Sequence, residues 1–291
     1  MTAASARPGG AAGPFVDLHS HSTASDGSQT PADVVAAAKA AGLAALALTD
    51  HDSMAGVPNA VRAGASLGVR VVPGVELSAT DDEREVHLLG LHIQRPASID
   101  DALRAFRDRR HERAVQIVEK LNALGVPITF DDVLAHAGDA AIGRPHLARV
   151  LIEGGWARDS RDAFDRYLGA GKPAYVAKHR LSVGEAIDLA HAGGGIAVLA
   201  HPGSEGRRET IERFVRLGLD GLEVRHPGHS SEDVNRLGAL AGFFKLVQSG
   251  GSDWHGASDG PRVLGVMRVP AAWLDAQDAR GELRRATRAT A

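Results

Sequence analysis

The stretch Asp17–Gly27 reads DLHSHSTASDG and follows directly on Phe15 and Val16. Phe15–Leu18 has strand composition, and along a strand alternate side chains share a face. His19 and His21 therefore project their imidazoles to one side, with Asp26 shortly after them. Two such imidazoles are either a water-exposed strand end or part of a metal site, and the rest of the chain decides between these.

Outward from this stretch, apolar runs alternate with helical patterns: FVDL, PADVVAAAKAAG, LAALALTD, a helix over Val57–Leu67, then VRVVPGVEL. The alternation resumes with SVGEAIDLAHAGG, where Ser182 and Glu185 fit a capping box, then the strand IAVLA, a helix over Thr210–Leu217, the strand GLEV and a helix over Glu232–Ala241. A last strand precedes GSDWHG. This order predicts a parallel sheet with crossover helices. Residues 99–178 show no β pattern, only a long charged helix over Ile99–Leu124 and shorter helices near Asp131, Pro145 and Arg161. The chain thus reads as an α/β barrel over 14–98 and 179–275 carrying a helical insertion over 99–178, with a disordered tail over 1–13 and a C-terminal tail over 276–291.

Composition sets limits on function. With 291 residues, 44% hydrophobic and 24% charged, the chain has enough apolar material for a large core. A formal net charge of -3 gives no global basic field, so stable duplex DNA binding is not expected, whereas small anionic substrates remain open. There is no cysteine, which excludes disulfides and thiolate metal sites and leaves His, Asp and Glu to hold any ion. That chemistry suits a cytoplasmic enzyme. The start, MTAASARPGGAAGP, lacks a signal-peptide core, and no apolar run reaches the roughly 18 residues of a membrane span, so no membrane association is expected.

The ionisable residues fall at the C-terminal ends of the expected strands, where α/β barrels place their active sites. His19, His21 and Asp26 follow the first strand, Asp50, His51 and Asp52 the second, and Glu76 ends the third. His87 lies in EVHLLGL, His201 ends IAVLAHPG, and Asp253 and His255 lie in GSDWHG. Singly, His87 or His201 reads as a core or loop histidine; jointly the recurrence at equivalent positions points to one site. Nine oxygen and nitrogen candidates (His19, His21, Asp26, His51, Glu76, His87, His201, Asp253, His255) exceed the three or four that one catalytic ion takes from protein. Two or three divalent ions follow, with Mn, Fe or Zn suited to this donor set and Mg also admissible. Glu76, a lone acid at a central strand end, is the natural bridge. His111, His136 and His191 fall in helical patterns and read as surface residues, His92 is out of strand phase with His87, and His179 and His226 are undecided. The arginines of DALRAFRDRRHERAVQ read as a solvated helix face rather than an RNA track.

These pieces, DLHSHSTASDG, LTDHD, GVE, the histidine of VHLLG, AHPG and GSDWHG, in this order from Asp17 to Gly256, resemble the PHP family, the polymerase and histidinol phosphatase phosphoesterases. The resemblance implies a distorted (β/α)7 barrel and a trinuclear site. By family pattern His19, His21, Glu76 and Asp253 would hold one ion, Glu76, His87 and His201 a second, and Asp26, His51 and His255 a third. Other members carry a histidine where Asp26 stands, and the oxygen ligand here favours Mn or Mg at that position. Within the family, IGRPHLARVLIEGG, GKPAYV and the insertion look most like the branch that hydrolyses nucleoside 3',5'-bisphosphates and trims RNA from the 5' end.

The expected chemistry is in-line attack on phosphorus by a metal-bridging hydroxide held by Glu76, His19, His21 and Asp253. Arg144, His146 and Lys172 in the insertion would clamp a second phosphate, arginine through its planar fork, with His229 near the mouth. For Arg144 the alternative is a cap or bridge at the start of the following helix. Rival functions are a histidinol-phosphate-type phosphomonoesterase and a metal-binding regulatory module without turnover.

Overall fold

Seven strands form the wall of the barrel. In spatial order they are β8 (Val247–Gly250), β7 (Gly221–Arg225), β6 (Ile196–Leu199), β4 (Arg84–Leu91), β3 (Arg70–Asp81), β2 (Ala45–Leu48) and β1 (Phe15–Asp17). The Leu18 N–H donates to the Gly250 carbonyl at 3.1 Å, and Ser20 bridges Trp254 in parallel, so the first strand returns to the last and nearly closes the ring. Two short strands lie beside this wall: β5 (Leu181–Ser182) pairs with β3, and β9 (Val269–Pro270) runs antiparallel to β1. The computed structural model describes residues 14–82, 84–137, 142–177 and 181–289; the expected tail over 1–13 and His179 lie outside them.

The sheet is not wholly parallel. β4 runs antiparallel to both β3 and β6, so β3 and β4 form a long hairpin that pairs Gly74 with Leu91 and Asp81 with Arg84. Both strands are buried apolar runs over much of their length, and such a run has no feature that encodes direction. The reversal is the distortion of the barrel.

The crossover helices start where local chemistry dictates. Pro31 opens α1 (Pro31–Ala40) behind Thr30, whose hydroxyl accepts from the Asp33 N–H. Ser182 and Glu185 form the expected capping box of α7 (Val183–Ala192), and Ser230 caps α9 (Ser231–Phe244). α2 (Val57–Leu67) and α8 (Arg208–Arg216) complete the outer layer on that pattern. The segment expected as a C-terminal tail is instead most of α10 (Ala271–Ala289), which buries Leu274 and Gln277 and pairs Asp278 with Arg70 through two hydrogen bonds of 2.6 and 2.8 Å. Its charges are divided between exposed positions such as Asp275 and Glu282 and half-buried ones such as Asp278 and Arg284, which gives the segment the composition of a tail.

The insertion is α3 (Ala97–Ala123), α4 (Phe130–Ala137), α5 (Arg144–Glu153), α6 (Ser160–Ala163) and a π-helical turn over Phe164–Leu168. It has a core of its own, including Ile117, Leu121, Val133, Leu147, Leu151 and Leu168, distinct from the barrel clusters. α3 belongs to both: Ile99 and Leu103 pack into the barrel core and Ile117 and Leu121 into that of the insertion. No described helix is long and apolar enough to cross a membrane.

Candidate metal centre

All nine residues picked out by strand position meet at one end of the barrel. Glu76, almost completely buried, is the hub. Its Oε1 faces His87 Nδ1 at 2.9 Å and His201 Nε2 at 3.0 Å. Its Oε2 faces His19 Nε2 at 3.2 Å, His21 Nε2 at 3.2 Å and His51 Nδ1 at 3.3 Å. Asp253 Oδ1 lies 3.1 Å from His21 Nε2 and 3.5 Å from His19 Nε2, while Asp26 Oδ1 lies 3.2 Å from His255 Nε2 and 3.7 Å from His21 Nδ1.

Backbone geometry delivers these groups. His19 and His21 continue β1 in strand phase, their ring centroids 5.2 Å apart and both side chains fully buried. His51 is set by an extension of β2 that bridges Glu76 on β3. His201 and Asp253 adopt φ values of 29° and 52°, positive values uncommon outside glycine, just past their strands.

Donor atoms that could share an ion fall into three groups: His19, His21, Glu76 and Asp253; His51, Glu76 and His87; and His21, Asp26, His51 and His255. The first matches the division expected from family pattern. In the others His51 stands beside His87 and His21 contributes its second nitrogen, while His201 reaches the cluster through Glu76 Oε1. The residues fit cations by a direct observation. Both ring nitrogens of His21 and Nδ1 of His87 are buried with no hydrogen-bond partner among the described residues, although carboxylate oxygens lie close by. Buried polar atoms are rarely left so. Several lone pairs directed at a common point, rather than at one another, are what an ion requires.

The electrostatics agree. Burial alone would raise the Glu76 carboxyl, but His19 and His51 foremost hold it well below the usual range, and Asp253 is likewise held down by His21 and His226 against its own burial. Burial pushes His51 down to about 4. For His21 burial acts the same way, yet Asp253 and Glu76 bring it up to about 9, as Glu76 and Glu85 do for His87.

A second layer fixes the first. Glu223, fully buried on β7, sits 3.1 Å from His19 Nδ1 and accepts the His201 N–H at 2.7 Å. This sets which His19 nitrogen faces the cluster. The sequence reading missed it, although a glutamate inside the apolar run GLEV was a visible signal. Asp50 accepts from the Ser22 N–H at 2.7 Å and the Ser25 hydroxyl at 2.8 Å, and Asp52 from the Ser78 N–H at 2.8 Å, so the acids flanking His51 hold loops. The undecided His226 is buried, its Nδ1 accepting from the Gly228 N–H at 3.0 Å and its Nε2 lying 3.5 Å from Asp253 Oδ2. Arg262 pairs with Asp253 and was also missed.

The expected substrate contacts are placed less uniformly. Arg144 opens α5, donates to the Leu168 carbonyl at 3.1 Å and lies over the Phe164 ring at 5.3 Å. His146 Nδ1 accepts from the Gly143 N–H at 3.0 Å, and burial, with Arg149 and His136, pushes its imidazole below the usual histidine range. Lys172 is exposed. Both nitrogens of His229 are engaged by backbone, Nδ1 with the Val224 carbonyl at 2.9 Å and Nε2 with the Gly203 N–H at 3.1 Å. His92 lies with Gln277 and Asp278, and His191 is half-buried against Asp220 rather than at the surface.

A sequence profile of the PHP domain matches residues 17–172. The chain is similar to a 5'-3' exoribonuclease of Haemophilus influenzae, 38% identical over 82% of this chain and 89% of that one. It is equally similar to a 3',5'-nucleoside bisphosphate phosphatase of Chromobacterium violaceum, 38% identical over 86% and 90%. Its fold is similar to the crystal structure of a protein inferred to be a metal-dependent phosphoesterase from Bifidobacterium adolescentis, with TM-score 0.76 and 33% identity over 92% and 96% of the two chains. With the profile covering more than half of the sequence and the relatives aligned along most of it, the chain belongs to the PHP family.

Proposed function

We propose that this PHP-family phosphoesterase hydrolyses nucleotide phosphate esters, either nucleoside 3',5'-bisphosphates or the 5' ends of short RNAs, using two or three divalent ions held by His19, His21, Asp26, His51, Glu76, His87, His201, Asp253 and His255. The observation that carries the reading is Glu76, whose two oxygens face separate imidazole sets and so suit a bridge between ions. When bound, such ions neutralise phosphoryl oxygens and supply a hydroxide nucleophile near neutral pH. Mn, Fe or Zn suits the nitrogen-rich donors and Mg remains admissible around Asp26.

The protein's own contribution is position and charge. Glu223, 3.1 Å from His19 Nδ1, leaves His19 Nε2 turned to the site, and burial of His19, His21 and Glu76 excludes bulk water. Arg144 gives one of its five donors to Leu168 and keeps others for a phosphate, with His146 and Lys172 on the same insertion. The two relatives named above act on a nucleoside bisphosphate and on RNA ends, which supports a nucleotide over histidinol phosphate. The test is turnover by the metal-loaded protein on nucleoside 3',5'-bisphosphate, 5'-phosphorylated RNA and histidinol phosphate in parallel. Hydrolysis of the first two is expected; turnover confined to histidinol phosphate refutes the assignment.

A further inference from the structure

At the opposite end of the barrel from the metal centre, a cleft of about 830 Å³ lies between the end of α7 and the last turns of α10. β6 begins beside it, at Ile196, and leads away from it toward His201. Four guanidiniums line the cleft, those of Arg95, Arg280, Arg284 and Arg285, together with Asp188 and His191. They are held in place. Arg284 donates to the buried Asp220 carboxylate at 2.7 Å and to the Gly218 carbonyl at 2.7 Å, Arg280 to the Lys245 carbonyl at 2.6 Å, and Arg285 to the Gly194 carbonyl at 3.2 Å.

These bonds do not account for the charge. Among the described residues, Asp220 serves both Arg284 and Arg280, the latter at 3.6 Å, and also accepts from His191 at 2.7 Å; Asp188 lines the cleft, and Asp278, which Arg285 also feels, is already paired with Arg70. The carbonyl end of α7 attracts cations, but a helix terminus carries only about half a unit charge. Arg280, Arg284 and Arg285 therefore outnumber Asp188 and Asp220, the carboxylates that line the cleft or bond them, on a chain whose formal net charge is -3. Arg280 and Arg284 are one helical turn apart on the same face of α10, and each guanidinium has five donors, of which these bonds take one or two on Arg280, Arg284 and Arg285.

We propose that this cleft binds a small molecule bearing adjacent phosphoryl groups, either inorganic pyrophosphate or the diphosphate of a nucleotide. Planar forks pair bidentately with phosphate oxygens, and cations converging on one cleft match phosphates joined to each other. An RNA backbone, with its charges spread along a line, matches a surface track instead.

Equilibrium dialysis with labelled pyrophosphate and with ADP tests the site, on the full-length metal-loaded protein and on Glu76→Gln, in which the metal centre is disabled. Saturable binding that persists in Glu76→Gln and weakens at least tenfold in Arg285→Glu and in the milder Arg280→Gln is expected, with both arginine variants folded by circular dichroism and as active as the parent. Tighter binding of ADP than of pyrophosphate identifies a nucleotide as the source, and equal binding an inorganic one; either supports the site. Loss of binding in Glu76→Gln, unchanged binding in both arginine variants, or binding of an oligoribonucleotide alone overturns it.

Discussion

At the scale of single residues, the site turns on Glu76. Glu76→Gln keeps the size of the side chain and removes the charge that faces five imidazoles. Elemental analysis is expected to find the metal lost together with turnover while circular dichroism stays that of the parent; full activity would exclude a bridging role. Glu223→Gln is expected to weaken metal binding about 10–100-fold, since it loosens the orientation of His19 without removing a donor. In the metal-stripped protein pH exposes the same network. His21 and His87 stand at about 9 and so bind more protons folded than unfolded between 6.5 and that value, which makes stability fall as pH rises through this window. His51, at about 4, binds fewer protons folded than unfolded below 6.5, so stability rises with pH from 4. Calorimetry of the stripped protein should show a melting temperature that peaks near pH 6.5, and metal, by displacing those protons, should remove the alkaline decline. His19 and His21 were legible because strand period alone puts them on one face. Glu223 stands out as an acid in an apolar run, but its role does not, because its partner is 204 residues away and only the closed barrel brings them together.

At the scale of elements, the seam between β1 and β8 leaves no room beside His19. A Cβ on Gly251 would stand 2.4 Å from the His19 Cβ and 2.5 Å from its backbone nitrogen. Gly251→Ala must push that strand aside, at a cost of about 1–3 kcal/mol for overpacking, and is expected to reduce metal content as well as stability. Thermal melts with metal quantitation check this, and unaltered metal content would show that the seam does not set His19. Helix positions were legible from caps and apolar spacing, as at Ser182 and Glu185. The direction of β4 was not, because a buried apolar strand looks the same read either way, and neither was α10, whose core side is narrow.

At the scale of the whole molecule, two cores imply two degrees of independence. Leu151→Ala, at a fully buried position of the insertion, is expected to destabilise by about 2–5 kcal/mol. Hydrogen exchange should localise the loss to residues of the insertion, with metal content kept and KM for nucleotide raised; loss of metal would mean that the barrel does not hold the site alone. The insertion was visible as a break in β pattern, whereas its boundary was not, since no residue in α3 marks where one core gives way to the other. That continuity constrains protein engineering. α3 runs about 40 Å unbroken and carries Ile99 in one core and Leu121 in the other, so a chimera that exchanges substrate preference between relatives must splice within this shared axle and preserve its helical phase. A junction off by one residue would rotate the transplanted half by about 100° about its axis and aim it away from the ions.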